Sequence, residues 1–209
     1  MTIFQVKTDY IKAVSIFAAK KGSSRYYLAG INVEFFDRYC TLVSTDGHRL
    51  FVAHNDFIND EIVPDWIIGK SFILPIDAIK KAMTGNKTIW TTIKIEQNAA
   101  TIDIGDVVAM PIDGKYPYWR NIINVEPDNQ PSQMNGVYMA DFAKAAKILG
   151  NHTGYFTLHH NGLSACPVSF SDENCAGLVM PIKNCNDEKY KTAFGRAFIG
   201  VNSDKIAAE

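Results

Sequence analysis

The chain contains few cysteines and no long apolar run. No stretch reaches the length of about 18 apolar residues that a membrane-spanning helix requires. Residues 1–20 lack the short basic region and the apolar region of a signal peptide. Four cysteines in 209 residues are too few for a disulfide scaffold, which indicates reduced thiols. The sequence therefore predicts a cytoplasmic protein that does not enter a membrane.

An excess of charge of either sign is also lacking. The 21 Lys and Arg residues nearly balance the 22 Asp and Glu residues, and the net charge is −1. This balance excludes a uniformly basic chain, but it allows positive charge to be concentrated on one surface. With 47% hydrophobic and 21% charged residues, the composition is that of a globular protein with an apolar core.

Recognisable catalytic motifs are missing as well. The sequence has no P-loop, no Gly-x-Ser-x-Gly and no His-Glu-x-x-His. His48 and Asp46 share a glycine-containing turn without a nearby nucleophile, which disfavours acid–base chemistry. A metal site is the weaker alternative, because adjacent His159 and His160 would point to opposite sides of a strand and no two cysteines have zinc-ligand spacing. We therefore predict a protein without catalytic activity, cofactor or metal; the alternative metal cluster would comprise His152, His159, His160, Cys166, Cys175 and Cys185.

Three segments of the chain are alike and predict three helices. Each begins with an aspartate, at Asp9, Asp77 or Asp141, and continues with apolar residues, lysine and alanine. An aspartate in the first helical turn complements the positive end of the helix dipole, and the apolar residues that follow recur at helical spacing. A glycine after each segment predicts the helix end. These glycines are Gly22, Gly85 and Gly150.

Three strand-like runs follow each predicted helix, and short turns separate them. The pairs Asp46-Gly47 and Asn161-Gly162 are strong hairpin signals. Ile93 and Ile95 alternate with polar residues, which is typical of an antiparallel strand with one buried face. The sequence therefore predicts an α+β fold built from three β-α-β-β-β modules, whose antiparallel sheets carry helices on one face.

The modules define the predicted domain boundaries. Residues 1–123 would form a complete domain of two modules, residues 124–183 a partial second domain of one module, and residues 184–209 a C-terminal tail. A half domain leaves a sheet edge unpaired, which self-association or the tail could cover. The tail could also fill a pocket, since it has aromatic residues at helical spacing, namely Tyr190, Phe194 and Phe198.

Positive charge is concentrated on the predicted helices. If the three helices lie side by side, their lysines present a cationic face, which is typical of proteins that bind the phosphate backbone of DNA. The alternative interpretation is that these lysines only solvate the helices. No helix-turn-helix or zinc-finger pattern accompanies them, so binding would be independent of base sequence. The predicted DNA-contacting residues are Lys12, Lys20, Lys21, Arg25, Lys80, Lys81, Lys144 and Lys147.

Two segments of the chain carry a specific resemblance. Residues 25–34 read Arg-Tyr-Tyr-Leu-Ala-Gly-Ile-Asn-Val-Glu, and residues 44–50 read Ser-Thr-Asp-Gly-His-Arg-Leu. They resemble the middle domain of the bacterial DNA polymerase III beta subunit, the sliding clamp. Further matches follow in the same order at residues 72–75, 113–120 and 177–182, and the resemblance is densest over residues 25–50 and 113–120. The resemblance implies a ring-forming, non-catalytic clamp whose helices slide on duplex DNA while its sheets form the outer wall.

The same resemblance implies a pocket that docks short peptide segments of polymerases and other clamp-binding proteins. Leucine, methionine, proline and isoleucine offer an apolar groove, and His48 and Arg49 could supply polar contacts at its rim. The alternative interpretation is a packed hairpin beside a terminal strand, with no ligand. The implied pocket residues are Leu28, Thr45, Gly47, His48, Arg49, Leu50, Leu178, Met180, Pro181 and Ile182.

The chain is shorter than the proteins that it resembles, because it contains about three modules and a member of the family contains six. Rings of the family and its relatives contain twelve modules, so a ring would need four copies and a homo-oligomer is predicted. The leading hypothesis is a sliding-clamp-like processivity factor of DNA replication that binds duplex DNA. The alternative is a peptide-binding decoy or modulator of the clamp that does not encircle DNA.

Overall fold

The computed structural model describes residues 2–57, 63–97 and 101–183, which form eleven strands and four helices. A three-residue 3₁₀ turn, Tyr26–Leu28, precedes the second strand. The helices are α1 (Thr8–Ser15), α2 (Ile76–Met83), α3 (Arg120–Ile123) and α4 (Gly136–Ile148). The strands are β1 (Thr2–Lys7), β2 (Gly30–Phe35), β3 (Tyr39–Thr45), β4 (Arg49–Asp56), β5 (Ser71–Pro75), β6 (Trp90–Ile95), β7 (Ile102–Ile104), β8 (Val107–Ala109), β9 (Thr157–Leu158), β10 (Cys166–Ser169) and β11 (Cys175–Val179).

All strand pairs are antiparallel and fall into two sheets. One sheet has four strands in the order β1-β6-β7-β8, and the other has seven in the order β5-β2-β3-β4-β11-β10-β9. The third module joins the first through the β4–β11 pair, in which Leu50 lies opposite Leu178. This pairing places the Asp46–His48 turn beside the end of β11, which is the geometry that the candidate site requires.

The strands that lead the first two modules are exchanged between sheets. β1 pairs with β6 of the second module, and β5 pairs with β2 of the first module. The predicted leading strand of the third module is not formed: the described stretch from Asn124 to Asn135, which precedes α4, contains no strand residue. The third module therefore has the order α-β-β-β. The α+β class, the antiparallel pairing and the assignment of three strands after each principal helix are confirmed.

Two of the three predicted helix starts are confirmed, and the third is wrong. Asp9 and Asp77 lie in the first turns of α1 and α2. Helix α4 instead begins at Gly136, because the side chain of Asn135 caps it by accepting a hydrogen bond from the Val137 amide. Asp141 consequently lies in the middle of α4, where its carboxylate is available for contacts outside the helix.

The first helix also ends earlier than its glycine predicts. Helix α1 stops at Ser15, and the chain turns so that Phe17 is fully buried. The glycines after α2 and α4 do mark the helix ends, since Gly85 and Gly150 have positive φ angles of 71° and 94°. Among the described residues no helix is long and apolar enough to cross a bilayer, and α4, with 13 residues, is the longest.

One large apolar core holds both sheets and the three principal helices together. It includes Val14 of α1, Ile79 of α2 and Phe142 of α4, all with no exposed surface. Helix α1 contacts both α2 and α4, so the three helices lie side by side. A smaller cluster of Val43, Leu50, Trp119 and Leu178 lies on the opposite face of the seven-stranded sheet. This second face carries the candidate site.

Candidate functional site

A groove of about 490 Å³ opens beside the smaller apolar cluster. Its walls come from three places in the sequence: the β3–β4 hairpin, the end of β11 and the segment 117–125. Most of its lining is apolar, which suits hydrophobic side chains of a ligand. Eight of the ten residues predicted for a pocket lie on this groove, namely Leu28, Thr45, Gly47, His48, Arg49, Leu50, Leu178 and Met180.

The hairpin wall is shaped by hydrogen bonds within its own turn. The Asp46 carboxylate accepts from the amides of His48 and Arg49 at 2.9 and 3.1 Å, and Thr45 Oγ1 accepts from the Gly47 amide at 3.0 Å. Gly47 has a φ of 93°, a conformation that glycine adopts without strain. The turn therefore has one defined shape, and it leaves the ring of His48 exposed at the rim.

The hairpin and the third module are joined at the groove itself. The Met180 amide donates to the His48 carbonyl at 2.8 Å, immediately beyond the β4–β11 pairing. Leu50 and Leu178 are almost fully buried and form the floor, whereas the Met180 side chain is 36% exposed. The groove thus offers a fixed apolar floor and an adaptable apolar rim.

The third wall was not predicted from the sequence. Pro117, Asn121, Ile122 and Val125 line the groove from the segment between β8 and α4, and Ala165 adds to the lining from the approach to β10. Trp119 holds this segment in place by donating from Nε1 to the Glu34 carboxylate at 2.9 Å. A connecting segment that contains Trp119, Ile122 and Val125 is more apolar than a solvated connection, and that composition is the signal that could have identified it.

Three predicted site residues lie elsewhere than expected. Pro181 is buried and Ile182 is exposed, but neither lines the groove, because the chain turns away there and the Ile182 amide donates to the Gln133 carbonyl. Arg25, predicted to contact DNA, lines the groove instead. Its guanidinium lies against Gly47, within 2.7 Å of the position that a β-carbon would take there. Arg25 and His48 therefore place positive or ionisable groups on an otherwise apolar site.

Arg49 lines the groove but is largely shielded from solvent, with a side chain only 10% exposed. Its guanidinium pairs with Asp46 at 3.1 Å and with Asp141 of α4. It also packs over the rings of Phe17 and Tyr138, with 5.2 and 4.8 Å from Cζ to the ring centroids. Although burial opposes it, hydrogen bonds from Arg49 and Lys144 lower the pKa of Asp141, which keeps that carboxylate charged.

The seven lysines predicted to contact DNA divide into two groups, and two of them, Lys20 and Lys21, lie beyond the end of α1 rather than on it. Lys12 donates to the Asn86 carbonyl at 2.7 Å, Lys21 pairs with Asp77 at 2.7 Å, and Lys144 pairs with Asp141 at 3.1 Å. The other four are exposed, and their ammonium groups have no hydrogen-bond or ion-pair partner in the described ranges. These four are Lys20, Lys80, Lys81 and Lys147.

The described histidines and cysteines of the third module do not form a metal-ligand group. His159 Nε2 is hydrogen-bonded to Ser169, and His160 Nδ1 accepts from the Ser132 amide. Among the residues that the structure describes, no three His, Cys, Asp or Glu side chains are arranged to hold a metal. Burial raises the pKa of the Cys175 thiol, which disfavours the thiolate that a metal would need. Cys185 lies outside the described residues.

Comparison with protein families gives one match. Residues 5–118 match the model of the DNA polymerase III beta subunit, central domain. Over 117 residues the chain is 26% identical to the beta sliding clamp of Chlamydia trachomatis, and over 133 residues it is 26% identical to that of Buchnera aphidicola. These alignments cover 54% and 60% of this chain but only 27% and 35% of the relatives, so the chain spans about a third of their length.

Solved structures show the same fold at lower identity. The DNA polymerase III beta subunit of Pseudomonas aeruginosa matches with a TM-score of 0.65 and 16% identity, and that of Thermotoga maritima with 0.61 and 15%. Each match covers 88% of this chain and 66% of the solved chain. The resemblance drawn from residues 25–34 and 44–50 is therefore confirmed, and the matches extend beyond the 114 residues of the family model.

Proposed function

Because the chain belongs to the DNA polymerase III beta subunit family, we propose that it acts as a sliding-clamp-like processivity factor in DNA replication. In this role the groove docks short apolar peptide segments of polymerases or other clamp-binding proteins, and the helix face contacts duplex DNA. The role is one of binding, and it assigns no reaction to the protein. Its predicted cytoplasmic location fits a role in replication.

The observation that carries the proposal is the groove beside the β3–β4 hairpin. Its two principal walls, the β3–β4 hairpin and the end of β11, come from distant parts of one chain and are linked by the Met180–His48 hydrogen bond. An apolar cleft of about 490 Å³ with a few polar groups at its rim suits one or two large apolar side chains of a peptide. Arg25 and His48 at the rim favour a peptide that carries acidic residues beside its apolar anchors.

Substituting a rim methionine tests peptide docking without disturbing the core. Met180→Glu places a carboxylate in the apolar groove, so we expect about tenfold or weaker binding of a fluorescent octapeptide with neighbouring leucine and phenylalanine anchors. Fluorescence anisotropy measures the dissociation constant. Met110→Glu is the matched control, because Met110 is 68% exposed and does not line the groove. If both variants bind the peptide with the affinity of the wild type, the groove is not the peptide-binding site and this part of the proposed function is wrong.

Contact with DNA is supported by the arrangement of the helices. Helices α2, α1 and α4 lie side by side, and three exposed lysines of α2 and α4, together with Lys20 after the end of α1, have no partner in the part of the chain that the structure describes. Unpaired ammonium groups are available to replace the counterions of a phosphate backbone, which is a contact without base specificity. We accordingly reassign Arg25 from the DNA-contacting set to the groove.

A second candidate function needs the groove but not the ring. One chain holds all the walls of the groove, whereas encirclement requires a closed assembly of several copies. A monomer with an intact groove would capture clamp-binding peptides and act as a decoy or modulator of a replication clamp. Both candidate functions predict that the groove binds the same peptide. They predict different native masses and different retention on DNA.

A further inference from the structure

A chain of polar contacts runs from the helix face to the groove. Lys144 and Arg49 both bind the carboxylate of Asp141, and Arg49 also pairs with Asp46. Asp46 in turn accepts from the amide of His48, whose carbonyl receives the Met180 amide. The Arg49 guanidinium is thus the link between helix α4 and the turn that forms one groove wall.

We infer that Arg49 is a positioning residue: by tying the Asp46–His48 turn to Asp141 of helix α4, it holds the groove in its peptide-binding shape. The inference deepens the proposed peptide docking and rests on it. It differs from the sequence-based interpretation, in which Arg49 contacts the peptide at the rim.

The surroundings of Arg49 favour positioning over direct contact. Although Arg49 lines the groove, its side chain is only 10% exposed and its guanidinium packs over the rings of Phe17 and Tyr138, so most of that group is engaged by the protein itself. Asp141 is 14% exposed, and a charged pair at this depth is held more rigidly than an exposed one. Tyr138 also approaches the ring of His48, with 6.1 Å between centroids, so helix α4 supports the turn at two points.

Asp141 makes the test specific, because it does not line the groove and cannot touch a peptide there. Asp141→Asn keeps the shape of the side chain and removes the charge that holds Arg49. We expect affinity for the leucine–phenylalanine octapeptide to fall about tenfold, and the double variant Arg49→Gln/Asp141→Asn to bind no more weakly than Arg49→Gln alone. Full additivity of the two changes, or unchanged affinity of Asp141→Asn, would overturn the inference.

Asp172→Asn is the matched control. Asp172 is a half-buried carboxylate that accepts a hydrogen bond from Tyr10 at 3.0 Å, but it lies in the β10–β11 turn, at the opposite end of β11 from Met180. The same acid-to-amide change there should leave the affinity for the octapeptide within about twofold of the wild type. A decrease as large as that of Asp141→Asn would attribute the effect to general destabilisation and contradict positioning.

Hydrogen exchange supplies a measurement that needs no peptide. The amides of His48 and Arg49 bond to Asp46, so release of Arg49 from α4 should speed their exchange about tenfold in Asp141→Asn while core amides of β3 stay protected. Unchanged exchange would refute the link even if peptide binding falls. If the wild type binds no octapeptide at all, the proposed docking fails, while this measurement still decides whether Asp141 holds the turn.

Discussion

At the scale of single residues, Gly177 of strand β11 lies directly against Phe142 of helix α4. A β-carbon on Gly177 would clash with Cε1 of Phe142, whose side chain is fully buried. Gly177→Ala should therefore lower the free energy of unfolding by about 1–3 kcal/mol, because the ring has to move in a packed core. Urea denaturation measures the change.

Gly136→Ala is the control for that substitution. Gly136 is the first residue of α4, its φ is not positive, and a β-carbon there meets nothing within 4 Å. Replacing it with alanine should leave stability unchanged or raise it by up to about 1 kcal/mol, because alanine restricts the unfolded chain. If Gly177→Ala is as harmless as Gly136→Ala, the close approach of β11 to α4 is not rigid.

Residue-level prediction succeeds where a local pattern determines the geometry. The Asp46-Gly47 pair specifies a hairpin because its hydrogen bonds lie within five residues. The prediction of a helix start at Asp141 is wrong, since Asn135 caps the helix one and a half turns earlier and Asp141 instead pairs with Arg49, 92 positions away in the sequence. Sequence reasoning also misses that Arg25 lines the groove, because its neighbour Gly47 is distant in sequence.

At the scale of secondary-structure elements, the exposed lysines of α2 and α4 carry a prediction about DNA. Charge reversal in Lys80→Glu/Lys147→Glu should weaken binding to a labelled duplex and reduce the slope of log K against log salt by about two, because each lysine neutralises about one phosphate. These two lysines are chosen because they are exposed and have no ion-pair partner among the described residues, so that their replacement leaves no buried charge.

A matched pair of lysines outside the helices controls for net charge. Lys94 of β6 and Lys115 before Trp119 are also exposed, and Lys94→Glu/Lys115→Glu changes the charge by the same amount. This control should keep most of the wild-type salt dependence if the helix face holds the DNA. Equal effects of the two double variants would mean that DNA responds to overall charge rather than to the helices.

The elements themselves are more predictable than their partners. Alternating Ile93 and Ile95 identify β6, which spans Trp90–Ile95. The exchange of β1 and β5 between the sheets has no local signal, because β1 pairs with residues about 90 positions away. The segment containing Ile122 and Val125 is missed as a groove wall because its conformation depends on the Trp119–Glu34 hydrogen bond.

At the scale of the whole molecule, the assembly state decides between the two candidate functions. The seven-stranded sheet ends at β9, whose outer edge has no partner strand within the described ranges, and an unpaired edge favours association or covering by another segment. If the chain forms the predicted ring of twelve modules, light scattering should give about 93 kDa, which is four chains of 23.3 kDa.

Retention on DNA makes the mass measurement a test of mechanism. A closed ring should slide off linear duplexes and remain on the same duplexes when both ends are blocked. If charge contacts alone hold the protein, its dissociation should depend on the salt concentration and not on whether the duplex ends are blocked. A species of about 93 kDa that dissociates from blocked and open duplexes equally would contradict encirclement. A monomer that still binds the octapeptide through Met180 would instead favour the decoy, because the groove needs only one chain.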